Sequence, residues 1–568
     1  MQASPTPPGG IARHFVQIDG RNIHYLRAGK GPPLLLIHPS PYNAHFWAGS
    51  IARWADRYTC IAPDTPGFGL SDPLAPQDMT VDGLTHAMAR LVETLGLTQC
   101  RLIGSHTGAA IALELAVAHP DIFTGVVLEA VPLFTEEEQE HWFTDAYFSP
   151  LKVSEHGEHL TWAWTRVRDA DVYFPWLRRQ PEHFYNGGRG SAAKLHKDLL
   201  DYFECARHFR PAYRSAVAYE KQAMRSLARL DIPALLYASS ADVMASHIDR
   251  LPPLKPGQEK RSLGTDEAEI NAVVDSALAS FKGDVPPGEL PASPPRAAQL
   301  IRQFVSIDGG QAMVRQTGGS GDPAILLLHD APGSAAALEP LMREMAGGAR
   351  VVAPDLPGSG ESSPLPEQSA LSDYAAWLES LCDALGLESI SIYGVGLGSS
   401  LALSLQARCP ARVRKVAVNG LLLPDDAKRL EMAKAYAPRI EIKDNGSHWY
   451  DVWSMLRDSL TVWPWYARTA ADVRRMAEPC SADELHDWTV EVMKQFGCYH
   501  HFINAALAYD LAPMLATAQG SLIRCTDPAH RFSVFEGEVV QMLPECDRVE
   551  ISRQPGKDGP ALRNALLP

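Results

Sequence analysis

The chain has 568 residues, more than one hydrophobic core usually organises, and fits two large domains. Its composition is globular, with 46% hydrophobic and 21% charged residues. A net charge of −15 argues against a basic binding surface, so we expect no nucleic-acid partner and no anionic-membrane partner. No apolar run approaches the ~20 residues that a membrane-spanning helix needs.

The N-terminus and the cysteines indicate the compartment. Residues 1–12 are rich in proline and glycine and lack a basic segment followed by an apolar one, which predicts a disordered leader and not a signal peptide. Nine cysteines occur without a Cys-x-x-Cys pair, which predicts a reducing compartment with no disulfide framework and no zinc site. We therefore expect a cytoplasmic protein with no metal and, since no phosphate-binding glycine loop is present, no cofactor.

Several motifs occur twice. The sequence A-P-D-x-P-G-x-G begins at Ala62 and again at Ala353, and an apolar strand ends at His38 and again at His329. Because the separation is about 290 residues each time, we infer that a whole domain has been duplicated.

The repeat predicts two domains of one fold. The first covers residues 13–281 and the second covers 301–568, with a proline-rich linker at 282–300. Within each domain the alternation of strand and helix patterns stops, at about 134–223 and about 423–513. These stretches predict helical insertions that cover the ends of the strands as a cap.

Short apolar runs alternate with helix-period segments in both halves. In the first half, strands are predicted at 34–37, 58–62 and 100–103, and helices at 81–95 and 107–118. This alternation predicts an α/β fold, with a mostly parallel sheet flanked by helices in each half. In such sheets, ligands bind at the carboxyl ends of the strands.

The centre of the first half is a tight turn between a strand and a helix. Gly104 and Gly108 bracket His106, which occupies the apex. The apex of such a turn needs a positive φ, which glycine adopts freely and histidine adopts better than most side chains. The copy of this turn in the second half has Gly396 at its apex.

Both halves resemble the capped α/β-hydrolase superfamily. The resemblance rests on the strand ending in His38, the D-x-P-G-x-G-x-S turn from Asp64 to Ser71, and the bracketed turn around His106, which matches a nucleophile elbow. It implies a catalytic triad: a nucleophile at the elbow, an acid after a later strand and a histidine near the end of the domain. The superfamily also includes proteins without catalysis.

The triad is incomplete in both halves. Asp242 follows a buried strand and matches the triad acid, although a solvated turn aspartate would show the same pattern. No histidine occurs between His247 and His329 or after His530, so neither half has the triad histidine.

His106 occupies the place where a serine normally stands. Its imidazole can exchange protons near neutral pH, so we expect it to act as a general acid or base, oriented by Asp242 or by Glu129. The alternative is that His106 only fills a vacated pocket. Gly396 carries no reactive group, so we expect the second half to be inactive.

Further residues complete the predicted site. The N–H groups of Thr107 and Ser40 are the expected oxyanion donors, and His38 is expected to brace the loop that carries Ser40. In the cap, His159 and Trp164 are candidates for substrate contact, with packing as the alternative because both have counterparts in the second half.

Two functions follow from this pattern. The first is an enzyme whose N-terminal domain acts on a small, mostly apolar carbonyl or ester-like substrate by hydrolysis or lyase chemistry, with the second domain as a scaffold that imitates a homodimer partner. The second is a catalytically inactive pseudo-hydrolase that binds a small ligand or a protein. The pattern leaves further self-association open.

Overall fold

The computed structural model describes residues 10–184, 188–288, 299–319, 323–474, 480–517 and 522–567. Residues 1–9 of the predicted leader and 289–298 of the predicted linker lie outside the described residues.

The first half contains one eight-stranded sheet with the order β1-β2-β4-β3-β5-β6-β7-β8. Strands β1 and β2 are antiparallel to their neighbours, and the remaining strands are parallel. The strands are β1 Ala12–Ile18, β2 Arg21–Ala28, β3 Pro33–Ile37, β4 Thr59–Pro63, β5 Cys100–Ser105, β6 Phe123–Glu129, β7 Ala234–Ser239 and β8 Gln258–Leu263. The helices are α1 Ala48–Trp54, α2 Val81–Thr94, α3 Thr107–Ala118, α4 Glu136–Trp142, α5 Glu158–Ala170, α6 Ala192–Cys205, α7 Phe209–Val217, α8 Glu220–Arg229 and α9 Glu267–Ser280.

The second half repeats this architecture, with the order β9-β10-β12-β11-β13-β14-β15-β16. The strands are β9 Ile301–Ile307, β10 Gly310–Thr317, β11 Ala324–Leu328, β12 Arg350–Pro354, β13 Ile390–Val395, β14 Val413–Asn419, β15 Leu522–Thr526 and β16 Asp547–Glu550. The helices are α10 Glu339–Met345, α11 Leu371–Ala384, α12 Leu397–Arg408, α13 Asp426–Ala435, α14 Ser447–Thr461, α15 Ala482–Lys494, α16 Tyr499–Leu507, α17 Ala512–Thr517, α18 Glu536–Met542 and α19 Asp558–Leu566. The predicted α/β fold is confirmed in both halves.

The core explains why the central strands read as continuous apolar runs. Side chains alternate across a strand, so Leu35 and Ile37 of β3 pack on one face of the sheet while Leu34 and Leu36 pack on the other. All four are fully buried. Helices cover both faces, as expected for a parallel sheet.

The insertions form helical caps. In the first half, α4 to α8 lie between β6 and β7, and in the second half α13 to α17 lie between β14 and β15. Helix α4 begins with a capping box, in which Thr135 and Glu138 each accept a hydrogen bond from the other's backbone N–H.

The two halves contact each other through pairs of equivalent residues. His159 Nε2 lies 3.1 Å from His486 Nδ1, and His196 Nδ1 lies 3.1 Å from His448 Nε2. Residues 448 and 486 are the counterparts of 159 and 196 in the repeat. Each contact is therefore made twice, as in an isologous interface between two copies of one subunit.

The contact between β1 and β9 repeats its arginine–phenylalanine contacts in the same way, whereas its ion pairs use carboxylates at non-equivalent positions. Arg13 forms an ion pair with Glu361 and lies over the Phe304 ring. The equivalent Arg302 forms an ion pair with Asp72 and lies over the Phe15 ring, while the two phenylalanine rings stack 5.5 Å apart.

One contact joins two residues that occupy the same position of the repeat. Lys494 Nζ lies 3.5 Å from Glu204 Oε1, and each is the other's counterpart. A residue that meets its own counterpart lies on the pseudo-two-fold axis. Here the two sides of the axis have diverged to an acidic and a basic residue.

None of the described helices is long and apolar enough to cross a membrane. All nine cysteines are free thiols.

Candidate active site

The predicted turn around His106 is a strand–turn–helix elbow. His106 has φ 53° and ψ −115°, and it lies between β5 and α3. The flanking glycines are required by space: a Cβ on Gly104 would lie 2.2 Å from the Gly108 carbonyl oxygen, and one on Gly108 would lie 2.2 Å from the Ile37 carbonyl oxygen. The sequence therefore folds into an elbow that presents an imidazole at the carboxyl end of the sheet.

His106 is paired with Asp242, which follows β7. Their Nε2 and Oδ2 atoms lie 2.7 Å apart, and the side chains are 31% and 18% exposed. Asp242 Oδ1 also accepts a hydrogen bond of 2.8 Å from the Met244 N–H. The structure thus brings together the elbow histidine and the acid that the sequence matched to it.

Electrostatics favour an ionised pair. Burial alone would lower the pKa of His106, but the Asp242 carboxylate, with a contribution from Glu129, raises it above the ordinary value. Burial alone would raise the pKa of Asp242, and His106 reverses this and lowers it. At neutral pH, these shifts favour an imidazolium beside a carboxylate.

Glu129 ends β6, next to this pair. Its carboxyl group has a raised pKa because burial outweighs the opposing effects of His106 and of hydrogen bonds with Ser105 and Tyr237. Asp242, and not Glu129, makes the hydrogen bond to the His106 ring.

In the second half, the N–H groups equivalent to the two expected oxyanion donors bind an oxygen atom. As the first residue of α3, Thr107 carries an N–H that the helix cannot use. Its counterpart Leu397 and the counterpart of Ser40, Ala331, donate to one oxygen, Asp330 Oδ1, at 2.9 and 2.8 Å. Two backbone N–H groups at these positions can thus converge on a single carboxylate oxygen.

His38 braces the loop that carries Ser40. Its Nδ1 lies 2.9 Å from the Pro39 carbonyl oxygen, and its Nε2 accepts a 3.0 Å hydrogen bond from the Thr65 N–H. Both ring nitrogens are therefore engaged, and the side chain is 2% exposed. His38 supports the site and is not positioned for contact with a substrate.

The candidate cap residues His159 and Trp164 contact the other half. The His159 ring packs against Trp453 with centroids 4.9 Å apart, and the Trp164 ring packs against His448 at 5.3 Å. Both side chains are 3% exposed. Both rings are therefore buried against residues of the second cap.

The second half has a different arrangement at its elbow. Gly396 has φ 56°, and a Cβ there would lie 2.1 Å from the Asp330 carboxyl group. Asp330 also forms an ion pair of 2.8 Å with Arg531. The carboxylate of Asp330 therefore occupies the space that an apex side chain would need.

An arginine stands where the triad histidine is expected in the second half. Arg553 follows β16 and donates to the carboxylate of Asp527, with Nη2 2.9 Å from Oδ2. In the first half, the segment after β8 has no such side chain, and Asp266 there caps α9 by accepting a hydrogen bond from the Ala268 N–H.

Sequence reasoning missed Asp330, Arg531 and Arg553. A signal existed for Asp330, because it stands where the first half has Pro39, next to a predicted oxyanion donor. No sequence pattern links the arginines to the carboxylates that they bind.

A cavity of about 120 Å³ lies under the first cap, beside the loop that follows Ser40. Its wall combines aromatic side chains, such as Tyr147 and Trp176, with the charged Arg166 and Asp171, and it does not include His106 or Asp242. The hydroxyls of Tyr147 and Tyr213 lie 2.8 Å apart.

Among the described residues, the group with metal-ligand spacing is Glu367, His500 and His501, which lie in the second half and not at His106.

A sheet of this strand order, with an elbow after β5 and an acid after β7, is an α/β-hydrolase fold, and the chain contains it twice. The protein is a tandem α/β-hydrolase-fold protein. A family model described as "alpha/beta hydrolase fold" matches residues 32–149 and 323–448.

Segments of the chain are similar to known hydrolases. Haloalkane dehalogenase 2 of Mycobacterium tuberculosis is 36% identical over 117 residues, covering 21% of this chain and 41% of the relative. Fluoroacetate dehalogenase of a Burkholderia species is 30% identical over 145 residues (24% and 48%), and soluble epoxide hydrolase of a Corynebacterium species is 32% identical over 124 residues (22% and 43%). The chain thus spans under half the length of each of these relatives.

Solved structures give matches at lower identity. Epoxide hydrolase A from Mycobacterium thermoresistibile is 19% identical with a TM-score of 0.38, covering 48% of this chain and 99% of that one. A laboratory-evolved variant of potato epoxide hydrolase is 18% identical with a TM-score of 0.39, covering 48% and 99%.

Proposed function

We propose that the first domain is an α/β-hydrolase-type enzyme in which His106 replaces the serine nucleophile and acts as general acid and base. Asp242 orients the imidazole, and the N–H groups of Thr107 and Ser40 bind an oxygen of the substrate. The observation that carries this proposal is the 2.7 Å contact between His106 and Asp242 at the elbow. The second domain is a non-catalytic scaffold.

The raised pKa of His106 favours its protonated form, which can donate a proton. A substrate whose bond breaks at oxygen needs such a donor. Water adds to the electrophilic carbon, the bond from that carbon to the departing oxygen breaks, and His106 gives its proton to that oxygen. A proton from the attacking water then restores the imidazolium.

This chemistry favours oxygen leaving groups over halides. A halide leaves without a proton and requires a strong nucleophile, which the elbow does not supply. An ester, a lactone or an epoxide gains directly from protonation of the departing oxygen. Of the reactions named for the similar proteins, epoxide hydrolysis suits an imidazolium better than dehalogenation does.

The proposed substrate is a small, mostly apolar carbonyl or ester-like compound. The cavity of about 120 Å³ under the first cap combines aromatic side chains with Arg166, Asp171 and Asp198, and neither His106 nor Asp242 lines it. The proposal therefore rests on the elbow and not on this cavity.

A second candidate function is a non-catalytic protein that binds a small ligand or a protein partner. Two observations favour it: the segment after β8 carries no histidine, and the second half holds its own carboxylate between the backbone donors at its elbow. Under this function, His106 and Asp242 would form only a structural ion pair.

One experiment separates the two candidates. Wild type, His106→Ala and Asp242→Asn are incubated with aryl esters, lactones, epoxides and haloalkanes, and the products are followed by mass spectrometry. The matched control is Asp527→Asn, which makes the same change at the equivalent position of the second domain. We expect turnover of an oxygen-leaving substrate that falls roughly 10²–10⁴-fold in His106→Ala. Asp242→Asn should also lose activity, and Asp527→Asn should retain it.

Two outcomes contradict the enzyme proposal. Turnover that is unchanged in His106→Ala would remove the histidine from the mechanism. No turnover in the whole panel, together with ligand-induced thermal stabilisation that survives His106→Ala, would favour the binding protein.

A further inference from the structure

Two adjacent histidines of α16 and one glutamate converge at the surface of the second domain. One ligand atom from each of His500, His501 and Glu367 lies within 4.8 Å of the other two. Glu367 belongs to the loop between β12 and α11, and its Oε1 lies 3.7 Å from His500 Nε2. That distance is too long for a hydrogen bond, but it suits two ligands of one metal ion.

His500 is buried without a hydrogen-bond partner. The residue is 2% exposed, and in the described part of the chain neither Nδ1 nor Nε2 has a partner within hydrogen-bonding distance. Buried polar groups are almost always paired, so an unpaired imidazole calls for an explanation such as an ion.

His501 is oriented as metal-binding histidines usually are. Its Nδ1 lies 3.3 Å from the Leu365 carbonyl oxygen, which leaves Nε2 as the second ligand atom. Histidine ligands commonly donate their other ring N–H to a carbonyl in this way.

The first domain shows that the fold does not need these residues. Helices α7 and α16 each have nine residues at equivalent positions of the repeat. The counterparts of His500 and His501 in the first domain are Arg210 and Pro211, and Gln77 corresponds to Glu367. The two imidazoles and the carboxylate are therefore a feature of the second domain alone.

We propose that His500, His501 and Glu367 bind a divalent transition-metal ion, for which Zn²⁺ is the best match. Two imidazoles and one carboxylate are typical ligands of Zn²⁺ when a fourth position stays open to solvent or a ligand. A groove of about 470 Å³, lined by Glu367, His501 and Trp377 among others, supplies that open side. This site is separate from the elbow of the first domain.

Arg439 competes for the carboxylate. Its guanidinium forms an ion pair with Glu367 Oε1, so the ion binds Glu367 in place of Arg439 or through the other oxygen. Removal of Arg439 should therefore tighten metal binding, whereas adventitious binding to scattered surface histidines would not respond.

The test is a titration of the full-length protein, freed of metal by a chelator, with Zn²⁺ followed by calorimetry and with Co²⁺ followed by its visible absorption. The variants are His500→Gln, Glu367→Gln and Arg439→Met. His86→Ala, which removes an exposed histidine of α2, is the matched control.

We expect one Zn²⁺ per chain in the wild type and in His86→Ala. Binding should weaken at least ~10-fold in His500→Gln and Glu367→Gln, and tighten in Arg439→Met. Equal binding in the wild type and Glu367→Gln, or no Zn²⁺ binding in the wild type and in Arg439→Met, would overturn the proposal. Because Glu367 and Arg439 are surface residues, these two variants keep the test decisive if His500→Gln does not fold.

Discussion

The four histidines between the caps should make the protein sensitive to acid. His159 pairs with His486 and His196 pairs with His448, and all four are at most 4% exposed. Burial lowers the pKa of His159 and His448 to about 4, and burial together with the partner histidine lowers that of His196 and His486 to about 3. A decrease in pH therefore perturbs this interface, and variants that remove one pair are needed to separate its effect from that of other buried histidines.

The direction of the effect follows from proton linkage. Histidine in the unfolded chain has a pKa of about 6.5, so between pH 6.5 and 4 the unfolded state binds more protons than the folded state. Stability that is present above pH 6.5 is lost as the pH falls toward the folded-state pKa values. At pH 5, each ring would cost roughly 2 kcal/mol of unfolding free energy, since one pKa unit is worth about 1.4 kcal/mol.

At pH 5, the loss of unfolding free energy from all four rings together is at most about 8 kcal/mol. This is a large part of the ~5–15 kcal/mol that stabilises a typical domain. The first proton taken up by each pair should cost less than the second, because an imidazolium can still donate to a neutral partner ring.

The assay is urea unfolding at pH 7, 6 and 5, followed by tryptophan fluorescence, since Trp164 and Trp453 contact these rings. A His159→Gln/His486→Gln variant removes one titrating pair. A His196→Gln/His448→Gln variant removes the equivalent pair, and the two should behave alike. Other buried histidines titrate in the wild type and in every variant. The difference in pH dependence between a variant and the wild type therefore measures the contribution of the pair that the variant lacks.

We expect the unfolding free energy of the wild type to fall between pH 7 and 5, and each glutamine variant to fall by several kcal/mol less. An unfolding free energy that depends on pH equally in the wild type and in both variants would refute the reasoning.

Three further predictions concern other parts of the molecule. Gly446→Ala should lower the melting temperature more than Gly96→Ala: both glycines have positive φ, but a Cβ at 446 would lie 2.4 Å from the Trp164 ring, whereas one at 96 meets nothing within 4 Å. Equal shifts in thermal unfolding would show that the interface accommodates the methyl group. Asp330→Asn should cost roughly 3–5 kcal/mol in urea unfolding, because it leaves the buried Arg531 without its carboxylate; a loss below about 1 kcal/mol would contradict that role. If His106 donates a proton, the pH profile of turnover should fall as the pH rises above the raised pKa of His106, and Asp242→Asn should move this limb to lower pH. If the decrease in turnover occurs at the same pH in Asp242→Asn as in the wild type, the titrating group is not His106.

The sequence predicted the fold because its signals are local. Helix α3 was predicted at 107–118 and is observed at Thr107–Ala118, and α2 was predicted at 81–95 and is observed at Val81–Thr94. The glycines around His106 specify the elbow because larger residues would collide with the backbone. The position of Asp242 was predictable because an acid after a late strand lies at the same sheet edge as the elbow.

The sequence left two roles open for His159 and Trp164, substrate contact and packing. It could not decide between them, because their environment is set by residues of the other cap, such as His486 and His448. The metal-ligand group was missed for a similar reason, because Glu367 is far from His500 in the chain. Contacts between distant segments depend on packing that local patterns do not encode.

The pairing of Glu204 with Lys494 on the pseudo-two-fold axis has a consequence for how this chain could evolve. In a homodimer, an axial residue meets an identical residue, so a carboxylate there would face a carboxylate. Covalent fusion of the two copies lifts that restriction, since each side can mutate alone. An isolated first half that dimerised in the same way would bring Glu204 against Glu204. The divergence therefore favours pairing of the two halves with each other, and the two elbows, with an imidazole in one and a glycine in the other, show the same independence.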